Sequence, residues 1–206
     1  MKLTDVQADA LQELGNIGAA HAATTLSTML SANVTMSVPE IKMIDISEIY
    51  KYVGDEVAAL VLFQINGEVK HGGYLLLYIA KNSVVRLTNA MLGQTDENRE
   101  LNEMDESALL EVGNIMVSAF LDGTAGLLNI IMLPSPPQLV IDMPHAAIQS
   151  IIASQQSEDI DDVVLFKTEL VSDAHNIQSS IFLFPNQPML QDIIRMLEEL
   201  IHQSTN

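Results

Sequence analysis

The residues best placed to do chemistry are Asp9, Glu13 and Asn16, set at i, i+4 and i+7 around Leu11-Gln-Glu-Leu-Gly-Asn-Ile-Gly18. The chain says this twice. Ser107, Glu111 and Asn114 hold the same spacing around Leu110-Glu-Val-Gly-Asn-Ile-Met116, with the Glu and the Asn each displaced by 98 residues. On a helix such positions share one face, each a turn above the last. Asp9, Glu13 and Asn16 therefore form one polar stripe, and Ser107, Glu111 and Asn114 a second. Leu11, Leu14 and Gly18 turn the other way, as do Leu109, Val112 and Met116. Two carboxylates could serve as acid and base in a glycosidase. That reading gives the Asn after each Glu nothing to do. A carboxylate beside a primary amide suits a different chemistry, in which the Glu grips a cation on a partner and the Asn, both donor and acceptor, orients a water. Such a pair needs an electrophile supplied by the partner. The plain alternative is that Glu and Asn only decorate an exposed helix face. Two copies at one offset, each beside a helix-interior Gly, weigh against it, because Asn is a poor interior helix residue.

Other chemical signals are weak. The five His residues (His21, His71, His145, His175 and His202) are scattered, and none makes an i, i+4 pair, which argues against a metal site. There is no Gly-rich phosphate loop with a Lys and no Gly-x-Ser-x-Gly elbow. The absence of Cys removes disulfides, thiolate nucleophiles and Cys-based metal sites. The eleven Met residues read as core filler.

The elements that must hold the stripes can be read from patterning. The 206 residues suffice for one large domain or a fused pair of half-domains, and 48% are hydrophobic. Aromatics are only 4%, so aliphatic residues, Met and Ala must fill the core. A formal net charge of −18 repels nucleic acid and anionic membranes. The acidity reads as solubility, in a salty cytoplasm for instance, or else as attraction to a basic patch on a partner. No leader and no apolar run of membrane-spanning length is evident, so a cytoplasmic chain without membrane insertion is expected.

Thr4 and Gln7 form a capping-box signal for a helix from about Asp5 to Met29, ended by Ser31-Ala-Asn33. Val34–Val38 and Ile41–Ile46 read as strands, Tyr50–Asp55 as a loop, and Val57–Ile65 as a central strand. Asn66-Gly67 is a turn signal, with Gly72-Gly73 as its furthest extension, before strand Tyr74–Ala80 and a helix, capped by Asn82 or Ser83, that stops at Gly93. Gln94–Leu101 is a charged linker. A second long helix starts at Asn102 or Asp105 and runs to about Ile131, with Gly123 and Gly126 as candidate points for a kink or an early end. Strand Leu139–Met143 and a helix over Ala146–Ala153, without counterpart in the first half, follow. Ser154–Asp162 is a polar loop, Val163–Val171 and Ile177–Phe184 are strands, and Met189–His202 is the last helix. The expectation is an α/β fold of the α+β type: a duplicated α-β-β-β-α unit with pseudo-two-fold symmetry and a mainly antiparallel sheet. Residues 1–206 form a single domain of two halves, about 1–95 and 102–206, with helices on one sheet face and the ends and the two motif helices on the surface.

At the paired motifs the chain resembles the CheC family of chemotaxis phosphatases, in the wider group with CheX and FliY. The family signature, Asp or Ser, three residues, Glu, two residues, Asn, stands at Asp9, Glu13, Asn16 and at Ser107, Glu111, Asn114. The flanks Glu13-Leu-Gly-Asn-Ile-Gly-Ala-Ala and Glu111-Val-Gly-Asn-Ile-Met match, as does Pro136-Pro-Gln-Leu-Val-Ile-Asp-Met143. The longer signature places Pro seven residues after the Asn; here those positions hold Ala23 and Leu121, and His21 stands where relatives often carry Asn. The resemblance implies catalysis by Glu13, Asn16, Glu111 and Asn114, with Asp9 and Ser107 supporting. The implied substrate is phosphorylated CheY. Glu pairs with the regulator's Lys, Asn orients water for in-line attack, and Mg²⁺ is held by the regulator, with no cofactor or metal on this chain. It also implies CheD, a deamidase, as a partner, and a monomer. The rival expectation is a non-catalytic adaptor that binds CheD or sequesters phosphorylated CheY.

Overall fold

The computed structural model describes residues 4–45, 48, 50–53, 56–69, 73–154 and 162–204. In chain order the elements are α1 (Asp5–Leu30), β1 (Thr35–Met36), β2 (Glu40–Asp45), α2 (Tyr50–Val53), β3 (Ala58–Gly67), β4 (Gly73–Ala80) and α3 (Lys81–Leu92), then α4 (Glu103–Leu128), β5 (Met132–Pro134), β6 (Gln138–Asp142), α5 (Pro144–Ser154), β7 (Asp162–Ser172), β8 (Ile177–Pro185) and α6 (Gln187–Ser204). The same order, α-β-β-α-β-β-α, occurs twice. One antiparallel sheet joins the halves in the order β1-β7-β8-β4-β3-β5, with β2 also on β7 and β6 also on β3. Exchanging each strand for its repeat reverses this order onto itself, so the pseudo-two-fold passes between β4 and β8.

Local chemistry sets the long helices. Thr4 accepts from the Gln7 N–H while the Gln7 side chain accepts from Thr4, closing the capping box. Asn102 and Asp105 do the same for α4. Ser31 and Asn129 end the two helices in the left-handed conformation. The larger core lies between α1, α3, α4, α6 and one face of the sheet, filled by residues such as Leu11, Leu14, Val61, Phe63, Leu77, Val112 and Phe120. The second core covers the opposite face, where Val53 and Ile148 pack against Leu60, Leu76, Phe182 and Phe184. Helices therefore cover both faces rather than one face and the ends.

The expected loop at Tyr50–Asp55 instead contains α2, the counterpart of α5; a single turn is too short to show a helical period, and residues 54–55 lie outside the described residues. The repeating unit accordingly gains a helix between its strand pairs. Val34–Val38 shrinks to Thr35–Met36, and β5 was not anticipated. Asn66-Gly67 is not the hairpin turn: β3 continues through both, pairing Gly67 with Met132. Gly67 sits at φ 123°, where a Cβ would collide with the Ile131 carbonyl oxygen. The connection lies further on, and its residues 70–72, with Ile46 and residues 155–161 of the expected acidic loop, lie outside the described residues. The α3 helix starts at Lys81 without a side-chain cap, and the buried Ser83 hydroxyl instead accepts the Gln178 N–H at 2.8 Å. α4 runs unbroken through Gly123 and Gly126 and ends at Leu128. By length and composition alone it could cross a membrane, but 56% of that window is buried inside the fold. A helix wedged between a sheet and another helix must be apolar over a wide arc.

The charged segment Gln94–Leu101 is no loose linker. Arg99 donates to both carboxylate oxygens of Asp105 at 2.6 Å, to Thr88 at 3.1 Å and to Asn89 at 2.9 Å. Asp105 is fully buried, and the Arg99 hydrogen bonds hold its carboxyl at about 2. This clamp ties α3, the segment and the start of α4 together. A carboxyl depressed in the folded state contributes stability above its unfolded value near 3.8 and loses it as pH falls toward about 2. Asp105→Asn should lower unfolding free energy by about 2 kcal/mol at neutral pH, because it takes a charged acceptor from the half-buried Arg99 guanidinium and from the Asn102 N–H. Urea melts at stepped pH should show that deficit shrinking below about pH 4; a deficit constant down to about pH 2 would contradict the clamp.

Candidate active site

Both motif helices owe their position to small residues. A Cβ on Gly18 would lie 2.8 Å from the Phe120 ring and 2.8 Å from the Thr124 methyl, and one on Gly123 would lie 2.9 Å from His21 and 3.2 Å from the Ile17 carbonyl. These contacts, with Glu13 and Leu127 lining one groove, show that α1 and α4 run antiparallel in close contact. The glycine inside each motif faces inward. A Cβ on Gly15 would meet Pro39 at 3.3 Å, and one on its repeat, Gly113, would meet Val61 Cγ1 at 2.7 Å. The motif glycines thus let each helix lie close to what is beneath it, while the Glu/Asn stripe faces out.

The stripes emerge where the spacing puts them. Leu11, Leu14 and Gly18 are buried, and so are Leu109, Val112 and Met116. Asp9 and Glu13 are exposed and Asn16 is half-buried; Ser107, Glu111 and Asn114 are all exposed. Asn16 Nδ2 donates to Glu13 Oε2 at 3.4 Å, a long and weak contact that leaves both groups available. Among the described residues the Glu111 and Asn114 side chains make no hydrogen bond. Ser107 does not reach its neighbours: its hydroxyl donates to the Glu103 carbonyl one turn back at 2.9 Å. Ala23 and Leu121, which replace the motif prolines, are buried in the core. His21 is exposed, with its ring against Gly123.

The two stripes do not converge. Glu13 lies beside Leu127 on α4, and from Leu127 back to Glu111 the helix rises roughly 24 Å. Paired glycosidase carboxylates stand about 5–10 Å apart, so Glu13 and Glu111 cannot attack one bond together. The arrangement is two separate acidic-and-amide sites at opposite ends of one helix pair. Among the described residues no group of three or more His, Asp or Glu side chains could hold a metal ion. The sequence reading missed one part of the first site. Leu200 and Ile201 of α6, assigned to an apolar helix face, come up beside Asp9 and Glu13. Their spacing gave a signal, but only the fold shows which helix they adjoin.

The sheet with its paired long helices defines a fold shared with FliY and CheX. The structure is similar to FliY of Thermotoga maritima, with a TM-score of 0.78 at 22% identity over 97% of this chain and 99% of that one. It is also similar to CheX in the CheX–CheY–BeF3–Mg complex of Borrelia burgdorferi, with a TM-score of 0.56 at 16% identity over 84% and 97% of the respective chains. In sequence it is 25% identical to the CheY-P phosphatase CheC of Bacillus subtilis over 192 residues, 89% of this chain and 90% of that one. The CheC-like family model matches twice, over residues 6–43 and 104–141, displaced by the same 98 residues as the motifs. At both motif helices the chain is thus similar to the CheC-like family.

The glycine contacts give a direct test of how the stripes are held. Gly113→Ala should destabilise the protein by about 1–3 kcal/mol, although Ala is the better helix former, because Val61 is buried, β-branched and unable to yield. Gly15→Ala should cost less, since Pro39 stands further off. In a urea double-mutant cycle, Val61→Ala should recover part of the Gly113→Ala loss. Additive losses would show that α4 does not rest on Val61.

Proposed function

We propose that this chain is a protein aspartyl-phosphate phosphatase acting on phosphorylated CheY from two separate sites. The observation that carries the reading is the repetition of an outward-facing Glu/Asn pair, with Asn16 half-buried, at one helical spacing on two helices packed against the same sheet. The CheY-P phosphatase name of the Bacillus subtilis relative and the complex of CheX with CheY support it. Glu13, or Glu111, takes the ammonium of the regulator's active-site Lys and fixes the register of docking. Asn16, or Asn114, then enters the regulator's site and holds a water with its amide, in line with the phosphorus. The water oxygen bonds to phosphorus, the bond from phosphorus to the aspartyl oxygen breaks, and inorganic phosphate and the free Asp carboxylate leave. Mg²⁺ belongs to the phosphorylated regulator, so this chain supplies only position and a water. Asp9 adds negative charge beside Glu13. Ser107, bonded to its own helix, has a lesser part.

Phosphate release from phosphorylated CheY, at a small fraction of the regulator concentration, tests the reading. Wild type should turn over many regulators. Glu13→Ala/Asn16→Ala/Glu111→Ala/Asn114→Ala should fall to the regulator's own rate while melting close to wild type, because none of the four side chains is buried in the core. Wild type that binds phosphorylated CheY without releasing phosphate would instead establish the adaptor reading.

A further inference from the structure

The two sites are not equivalent, and the difference lies in α6. Beside Asp9 and Glu13 runs a groove of about 450 Å³ walled by Val6, Ala10, Leu127, Leu197, Leu200 and Ile201. Its walls come from the start of α1, the end of α4 and the last turns of α6. Val6 is 60% exposed and Ile201 38% exposed, so the groove opens to solvent. Gln7 Nε2 donates to Glu198 Oε1 at 3.0 Å, which holds the α6 wall against α1. Among the described residues, the wall that the second site could draw from its own helix is shorter. α3 is the repeat of α6, but it has 12 residues where α6 has 18, a difference of roughly 9 Å. It ends at Gly93 in the left-handed conformation, and the chain turns into the Arg99–Asp105 clamp.

We propose that this groove is a specificity pocket of the first site alone. It takes an apolar side chain of the docking response regulator, one that lies next to the cation gripped by Glu13. Charge selects that occupant: an apolar trough with two carboxylates on its rim favours a segment pairing an ammonium or guanidinium with an apolar neighbour, and repels an acidic one. The apolar contact then sets residence time and choice of regulator, while Glu13 and Asn16 retain their roles. Ser107 in place of Asp9 removes one of the two rim carboxylates at the second site.

This inference rests on the phosphatase reading, and the test separates the two. Val6→Ser/Ile201→Ser, at two exposed rim positions, is combined with Glu111→Ala/Asn114→Ala, so that only the first site works, and separately with Glu13→Ala/Asn16→Ala. Turnover of phosphorylated CheY and fluorescence-anisotropy binding of beryllofluoride-activated CheY are read on each. The groove substitutions should raise KM and Kd at least fivefold when the first site works alone, with kcat retained. They should change neither when only the second site works. Equal effects in both backgrounds, or none in either, would overturn the groove while leaving the phosphatase reading in place. Binding without turnover in any form would refute the phosphatase, and the first-site difference in Kd would still decide the groove. No binding of CheY by wild type would overturn both.

Discussion

The structure depends on how closely two long helices approach each other and the sheet beneath them. α1 and α4 are each 26 residues long, and each must bury one side while keeping a Glu and an Asn a turn apart in water. Gly18 and Gly123 remove the side chains that would hold the helices apart. Gly113 lets α4 rest on Val61, and Gly15 lets α1 lie against Pro39. Each motif thus combines a buried glycine with exposed polar neighbours. Its inner residue sets where the helix sits, and that in turn decides where Glu and Asn emerge.

Duplication explains the rest of the design. One half would expose the β4 edge and leave its long helix without a partner. Pairing β4 with β8 joins the halves into one sheet and sets the long helices antiparallel over it. The motifs, near the start of each helix, are thereby sent to opposite ends of the pair. The outcome is two sites rather than one, and a chemistry that asks each site only to position a partner's groups. The Arg99–Asp105 clamp fixes the second helix at its start, where the two halves meet in sequence.

Much of this was legible in the residues. The capping box at Thr4 and Gln7, the i, i+4, i+7 stripes and the buried Leu11, Leu14 and Gly18 all follow from one helical period. The central strands showed because they are covered on both faces and so read as apolar runs. What could not be read was set by tertiary contact. α2 is a single turn whose Val53 is fixed by the sheet, and β5 is three residues that exist by pairing with β3. Gly67 looks like a turn residue and is instead a point where the chain passes close to the Ile131 carbonyl. Arg99 reads as one charge in a polar stretch, since nothing in its neighbours announces the buried Asp105. The site residues themselves were legible because they repeat; the groove beside the first was not, because α6 is far from α1 in sequence.

The central claim is two independent sites on one helix pair. The direct measurement is kcat/KM for phosphorylated CheY, taken at low regulator concentration, for wild type, for Glu13→Ala/Asn16→Ala and for Glu111→Ala/Asn114→Ala. Sites that never act on one regulator together predict that both variants stay active and that their values add up to that of wild type. If each pair of changes by itself abolishes the reaction, the two stripes act as one composite site and the claim of independence is wrong; if only one pair does, a single stripe carries the reaction and the claim of two sites is wrong.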